Sequence, residues 1–364
     1  MNIRKNISLR TLNTFGIDAV AEYYAEFNSV EDLIEVLEVL LTTRKSVATS
    51  SSGSVFSSNS ASGSAAAPLI LGGGSNILLV SDVPGWVIKN NIEGINVVKE
   101  DDEFVYVKSG AGVTWHELVL FAIENGWGGI ENLSLIPGKV GAGPMQNIGA
   151  YGVEIKDVFH ELNALHIYEK KQVKFNLNEC EFGYRESVFK RKYKGQFVIL
   201  DVTLKLRKQP VFNISYGAIE QELNNMGVKQ LSLKAISQAV INIRSSKLPD
   251  PAKTGNAGSF FKNPTVEPAE FERLRTLFPE IPGYPQADDR VKLAAGWMIE
   301  QCGWKGFRSG DAGCHARQAL VLVNYGQASG LEIYSLSKKI QQSVYEKFGV
   351  MLEPEVNIVP AITV

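Results

Sequence analysis

The stretch Ile136-Pro137-Gly138-Lys139-Val140-Gly141-Ala142-Gly143-Pro144-Met145-Gln146-Asn147-Ile148-Gly149-Ala150-Tyr151-Gly152 decides how this chain folds. It holds five glycines, two prolines and a Gln-Asn pair. That is too irregular for a core helix or strand and too particular in composition for a linker. Glycine lets backbone approach a ligand with no Cβ in the way. Backbone rimmed by apolar residues and carrying amide side chains suits a planar heteroaromatic ring flanked by phosphates. Gly141, Pro144, Gln146, Asn147, Gly149 and Ala150 are the positions expected to meet it.

A second glycine loop lies upstream. Gly72-Gly73-Gly74-Ser75-Asn76 follows the apolar run Leu69-Ile70-Leu71 and offers successive backbone N–H groups, a nest for a pyrophosphate. Gly72, Gly73, Gly74, Ser75 and Asn76 are therefore expected cofactor contacts. Three G-x-G sites occur, at Gly72/Gly74, Gly110/Gly112 and Gly141/Gly143. None carries the third glycine of the dinucleotide fingerprint, because Ile77, Trp115 and Gln146 stand there. No G-x-x-x-x-G-K-[ST] exists, which argues against a P-loop nucleotide-binding enzyme. The two loops together point to a dinucleotide held outside the Rossmann scheme.

The bulk numbers fit a soluble multidomain protein. The chain has 364 residues, 45% hydrophobic and 21% charged, with a formal net charge of −2. That balance gives no bulk attraction to nucleic acid or to an anionic membrane. No apolar run reaches signal-peptide or bilayer length, so a cytoplasmic location is expected. Cys180, Cys302 and Cys314 are far apart, and His116, His160, His166 and His315 have no ligand spacing. Neither a disulfide framework nor a metal site is expected, and the pair Cys314-His315 reads as structural.

Periodicity divides the chain. Residues 30–41 carry helical spacing in Leu33, Val36, Leu37 and Leu40. Residues 46–67 contain ten serines in 22 positions and read as a flexible insertion. Strands are expected over 68–71, 104–107, 162–168, 173–177 and 197–206. Helices are expected over 115–125, 233–247, 293–302 and 331–348, and a last strand over 350–359. On that strand Glu353 and Glu355 share one face. A domain boundary is expected near 210–230, and the fold class is α+β.

The run Gly255-Asn256-Ala257-Gly258-Ser259-Phe260-Phe261-Lys262-Asn263-Pro264 sets a serine after two glycines. Such a hydroxyl either caps a turn or stands close to a ligand as a proton donor.

These residues carry a resemblance. Asn13-Thr14-Phe15-Gly16, residues 71–79 and 137–152, Phe182-Gly183-Tyr184-Arg185, residues 247–251 and 255–264, Lys292-Leu293-Ala294-Ala295-Gly296-Trp297 and Leu352-Glu353-Pro354-Glu355-Val356 are similar, in order, to the UDP-N-acetylenolpyruvoylglucosamine reductase family. Tyr216-Gly217 resembles its long form. The chain departs from the family pattern in the Ser-rich insertion, and in small residues at 142 and 143 where some relatives carry serines. The resemblance implies two N-terminal subdomains, 13–90 and 91–210, forming an FAD-binding fold of the vanillyl-alcohol-oxidase/PCMH type. It implies a C-terminal α+β substrate-binding domain over 230–355.

The implied chemistry is reduction of an enolpyruvyl ether on a UDP-sugar, with FAD as cofactor and NADPH as hydride source, for cell-wall synthesis. Hydride comes from the flavin N5 and a proton from Ser259. Arg185 is the expected partner of the substrate carboxylate, since a planar guanidinium binds it bidentately. Glu355, if like charge from Glu353 keeps it protonated, polarises the same carboxylate. Tyr216, Lys247 and Asn263 are the expected UDP-sugar contacts; Lys247 also reads as a lysine at a helix C-terminus. The expected partner is this small molecule alone, with no nucleic acid, no membrane and a monomeric chain. Two rival readings remain. One is a flavin oxidase of the same fold, although no histidine lies in either glycine loop to tether FAD. The other is a flavin- or nucleotide-sugar-binding protein without catalysis.

Overall fold

The computed structural model describes residues 2–50, 67–286 and 288–361. The chain forms two compact units. One comprises Met1–Ile7, Ala21–Gly72 and Pro84–Ile241; the other comprises Ser8–Val20, Gly73–Val83 and Asn242–Val364.

The first unit is built on two sheets. A five-stranded antiparallel sheet runs in the order Gln172–Asn176, Phe159–His166, Phe197–Arg207, Phe104–Gly110, Ile95–Glu100. Its inward Val105, Val107, Val202 and Leu204 pack with Leu118, Val119 and Ala122 of helix Trp115–Glu124. Helical spacing places those three apolar residues on one stripe, and Asn125 and Gly126 end the helix. The second sheet contains Val20–Phe27, Val83–Asn90 and Leu69–Leu71, the last pair parallel. Helix Val30–Ser50 covers part of its core with Leu33, Val36, Leu37 and Leu40.

That helix corrects one expectation. Residues 46–50, read as flexible, continue the helix. No glycine or proline interrupts the chain before Gly53, so each added residue extends a helix whose nucleus already exists. The rest of the expected insertion, residues 51–66, lies outside the described residues.

In the second unit, Gly255–Ser259, Val321–Asn324, Ala312–Cys314 and Arg308–Ser309 form an antiparallel sheet covered by helix Gly330–Phe348. Ser329 and Glu332 form a capping box at that helix's start, and left-handed Gly349 closes it. Asn357–Val359 pairs in parallel with Ile77–Leu79. The expected strand over 350–359 is confined to this end. At 353–355 the pairing is a single antiparallel bridge, Phe261 opposite Pro354, flanked by bonds from Lys262 N to Glu353 O and from Glu355 N to Phe260 O, so Glu353 and Glu355 flank the bridge residue without a regular strand around them. Helices Gly217–Asn225 and Pro268–Leu277 were not expected; they bury only two residues and one residue respectively, too few to mark a stripe. Among the described residues, no helix is long and apolar enough to cross a membrane.

Candidate active site

In the first unit the glycine loop pairs with residues 111–113, just beyond the end of the interior strand Phe104–Gly110. Val140 N donates to Val113 O at 2.9 Å and Gly141 N to Ala111 O at 3.0 Å. A Cβ on Gly141 would lie 2.6 Å from that of Ala111, so only glycine permits this approach. Pro144 is buried, and a 3-10 turn over Pro144–Gln146 delivers Asn147 in the left-handed region. Gly149–Ala150 then pairs with Val153–Glu154 across Tyr151 (φ 50) and Gly152 (φ 80), a two-residue turn with both central residues at positive φ. Asn132 Nδ2 donates to Tyr151 O at 3.0 Å and to Asn213 O at 2.8 Å. Asn213 Nδ2 donates in turn to Gly152 O at 3.1 Å.

Arg185 stands on the tip of another two-residue turn. Gly183 and Glu186 exchange backbone bonds of 3.0 and 3.2 Å, which places Tyr184 and Arg185 at the tip. Arg185 has φ 55, an unfavourable region for an unbranched residue that is neither Gly nor Asn. Its Nη2 donates to Gly149 O at 2.7 Å, and its guanidinium lies 5.3 Å from the Tyr184 ring centre. Tyr216, half exposed, begins helix Gly217–Asn225 and meets Tyr151 edge-on at 5.3 Å. Arg185, Tyr216 and the residues around Gly149 are thus brought together.

The second unit gathers the others. Phe260 O accepts from Glu355 N at 2.8 Å and Glu353 O from Lys262 N at 2.9 Å, so Glu355 lies opposite the residue after Ser259. Asn76 Nδ2 donates to Glu355 O at 3.3 Å. Ser259 follows a break in strand register between Asn256 and itself, with Gly258 at φ 71. Asn256 Oδ1 accepts from Gly258 N at 2.9 Å, while its Nδ2 donates to Pro249 O and Thr254 O. Asn263 Oδ1 accepts from Ala295 N at 3.0 Å and so starts helix Ala295–Gln301. Glu353 is exposed and pairs with Lys262 Nζ at 3.5 Å. Lys247 stands exposed on the last turn of helix Leu233–Lys247.

FAD asks a protein for N–H donors around its diphosphate and an uncharged support for its ring. From 141 to 150 every partly open position is Gly, Ala, Met, Gln or Ile, and none is charged. In the other loop, Gly74 O accepts from Thr14 N at 3.1 Å. A trans peptide points its N–H opposite to its carbonyl, so Ser75 N–H is turned away from that contact. Gly72, Gly73, Ser75 and Asn76 are partly open, and buried Gly74 has φ 62. These features fit FAD. They also separate the backbone from the side chains: Asn147 is fully buried and its amide is engaged within the protein. The small residue at 143 is likewise structural, since a Cβ there would lie 3.0 Å from Ile155 Cδ1.

Sequence reading missed the bracing residues Asn132, Asn213 and Asn256, and the ring of Tyr151. A polar residue beside a positive-φ glycine is the signal that would have found Asn256. Glu131 is buried, and burial pushes its carboxyl above the ordinary glutamate range, opposed by the N–H of Gly129 at 2.7 Å. Cys314 is buried, its Sγ donates to Ala319 O, and burial pushes its thiol up to about 12, consistent with a structural residue.

Fold and loops define a flavin-binding α+β protein. The profile of the FAD binding domain family matches residues 60–166, and that of the UDP-N-acetylenolpyruvoylglucosamine reductase C-terminal domain matches residues 250–359. The UDP-N-acetylenolpyruvoylglucosamine reductase of Amoebophilus asiaticus is 50% identical over 359 residues, covering 99% of this chain and 100% of its own. That of Flavobacterium johnsoniae is 48% identical, with 99% and 100% covered. The crystal structure of the reductase from Thermus caldophilus superposes with a TM-score of 0.65 at 22% identity, covering 99% of this chain and 100% of that one. The chain belongs to the UDP-N-acetylenolpyruvoylglucosamine reductase family. The FAD-binding portion and C-terminal α+β portion expected from the sequence are both matched.

Proposed function

We propose that this protein reduces the enolpyruvyl ether of UDP-N-acetylglucosamine enolpyruvate to the lactyl ether, giving UDP-N-acetylmuramate for peptidoglycan. Family identity along the whole chain carries this reading. When bound, FAD supplies the two-electron reduction, with NADPH as the source of the electrons. Gly72, Gly73, Ser75 and the backbone of 141–150 hold it. Segments 13–90 and 91–210 are read as the FAD-binding subdomains and 230–355 as the substrate-binding domain. The setting is a cytoplasmic monomer.

The chain's own groups have separate tasks. Reduction at the terminal carbon leaves negative charge on the neighbouring carbon and its carboxylate. Arg185 binds that carboxylate and stabilises the growing charge. Its fixed turn is suited to this, because a preformed donor needs no reorganisation as charge develops. Ser259 Oγ delivers the proton to the carbon. Serine is a weak acid, so its use requires a strongly basic acceptor and close placement. The Asn256 brace on Gly258 supports such placement. Glu355, opposite Phe260, orients the acidic end of the substrate. Tyr216 and Lys247 contact the diphosphate, and Asn263 the sugar.

The test is anaerobic. NADPH bleaches the bound flavin, and the enolpyruvyl sugar nucleotide is then added without oxygen. The oxidised spectrum returns if the reading is right. A spectrum that returns only on admitting air favours an oxidase, and NADPH consumption indifferent to the sugar removes the assignment.

A further inference from the structure

We propose that Asn147 is a positioning residue for Arg185, acting through its side chain on the turn that carries the guanidinium. The inference rests on Arg185 being the carboxylate partner. The side chain is fully buried, which leaves it no face toward a cofactor. Its Nδ2 donates to Gly183 O at 2.9 Å and to Glu154 Oε2 at 3.0 Å, and its Oδ1 accepts from Lys156 N at 3.2 Å. Gly183 is the base of the two-residue turn on whose tip Arg185 sits. Two residues beyond Asn147, Gly149 O accepts from Arg185 Nη2 at 2.7 Å. One short segment therefore holds both the base of the turn and the side chain at its tip.

The far end of the strut is anchored as well. Glu154 pairs with Lys156 Nζ at 2.7 Å and belongs to a capping box with Asp157. Asparagine suits position 147 for two reasons. At φ 46 it tolerates the left-handed region better than other side-chain-bearing residues. Its amide also donates and accepts at once, whereas aspartate cannot donate to Gly183 O.

Asn147→Gly tests this, since glycine accepts the backbone angle and removes only the amide. Three readouts on the FAD-loaded protein apply. Amide hydrogen exchange over residues 183–186 should quicken about tenfold or more. The FAD dissociation constant, from flavin fluorescence, should stay within about threefold. The value of kcat/KM for the enolpyruvyl sugar should fall about 100-fold, as misplacement of a positioning group by an ångström does. Added to Arg185→Ala, the substitution should cost under about twofold, because it acts through the missing guanidinium. A full additional loss in that background, FAD weakened tenfold or more, or unchanged exchange overturns the proposal. If the glycine variant does not fold, Asn147→Asp keeps the backbone preference and is held to the same outcomes. Wild-type protein that fails to turn over the sugar defeats the functional reading instead; exchange and FAD affinity still decide the strut.

Discussion

Ser259 owes its place to a fault in its strand. Register slips between Asn256 and Ser259, Gly258 takes a positive φ, and Asn256 holds the slip from both sides. Ser259→Ala should leave flavin reduction by NADPH intact and slow flavin reoxidation by the enolpyruvyl sugar about 10²- to 10⁴-fold in anaerobic stopped flow, the usual worth of a positioned acid. Equal reoxidation rates would remove Ser259 from the chemistry. Glu131 gives a residue-scale test of a different kind. A carboxyl whose folded pKa is raised adds no penalty below the unfolded value of about 4.3; the penalty grows as pH climbs toward the folded value and persists above it. Glu131→Gln removes the charge, so its melting temperature relative to wild type should rise between pH 4 and pH 8. A relative fall over that interval contradicts the assignment. The motif pattern alone points to Ser259, Arg185 and Glu355. The bracing by Asn147 and Asn256 has no such pattern, because the carbonyls, N–H groups and carboxylate that their amides engage are brought near only by folding.

At the scale of elements, the strand carrying Ser259 fits against Phe15 with no space to spare. A Cβ on Gly255 would lie 2.2 Å from Phe15 O, and Asn256 N donates to Thr14 O at 3.0 Å. Gly255→Ala must push these backbones apart, at a cost of about 1–3 kcal/mol as for other overpacked sites. Urea denaturation should show the loss as a lower midpoint with unchanged slope; an unchanged midpoint would mean that the segment yields freely. Helices Trp115–Glu124 and Leu233–Lys247 could be read in advance because three or more buried apolar residues recur at helical spacing. Pro268–Leu277 buries Leu274 alone, so periodicity had nothing to report. The end of the chain misled for the opposite reason. Leu352 and Val356 are buried as an alternating strand requires, yet the pairing around Pro354 is a lone bridge to Phe261 and only Asn357–Val359 forms a regular strand.

At the scale of the whole molecule, the unit containing Ser259 is discontinuous in sequence. Residues 8–20 and 73–83 complete a body whose bulk is 242–364. Asn357–Val359 has its parallel partner in Ile77–Leu79, and Val80 N donates to Val359 O at 2.8 Å. Asn324 Nδ2 donates to Phe15 O at 3.0 Å from a buried position. Helix Gly330–Phe348 begins so close to Leu79 that a Cβ at Gly330 would lie 1.7 Å from its carbonyl oxygen. A fragment of residues 242–364 therefore lacks a strand, one wall against its longest helix and the shorter of the two bonds of the Asn324 amide, whose other acceptor is Ala328 O at 3.5 Å. Each such hydrogen bond is worth about 0.5–1.5 kcal/mol, and with the lost strand pairing and packing the total is a large share of the roughly 5–15 kcal/mol that holds a typical domain. The fragment should lack a cooperative thermal transition and show poorly dispersed amide resonances, whereas the full chain shows neither defect. A sharp transition with native-like dispersion in the fragment would mean that the two short N-terminal segments are dispensable to the fold around Ser259.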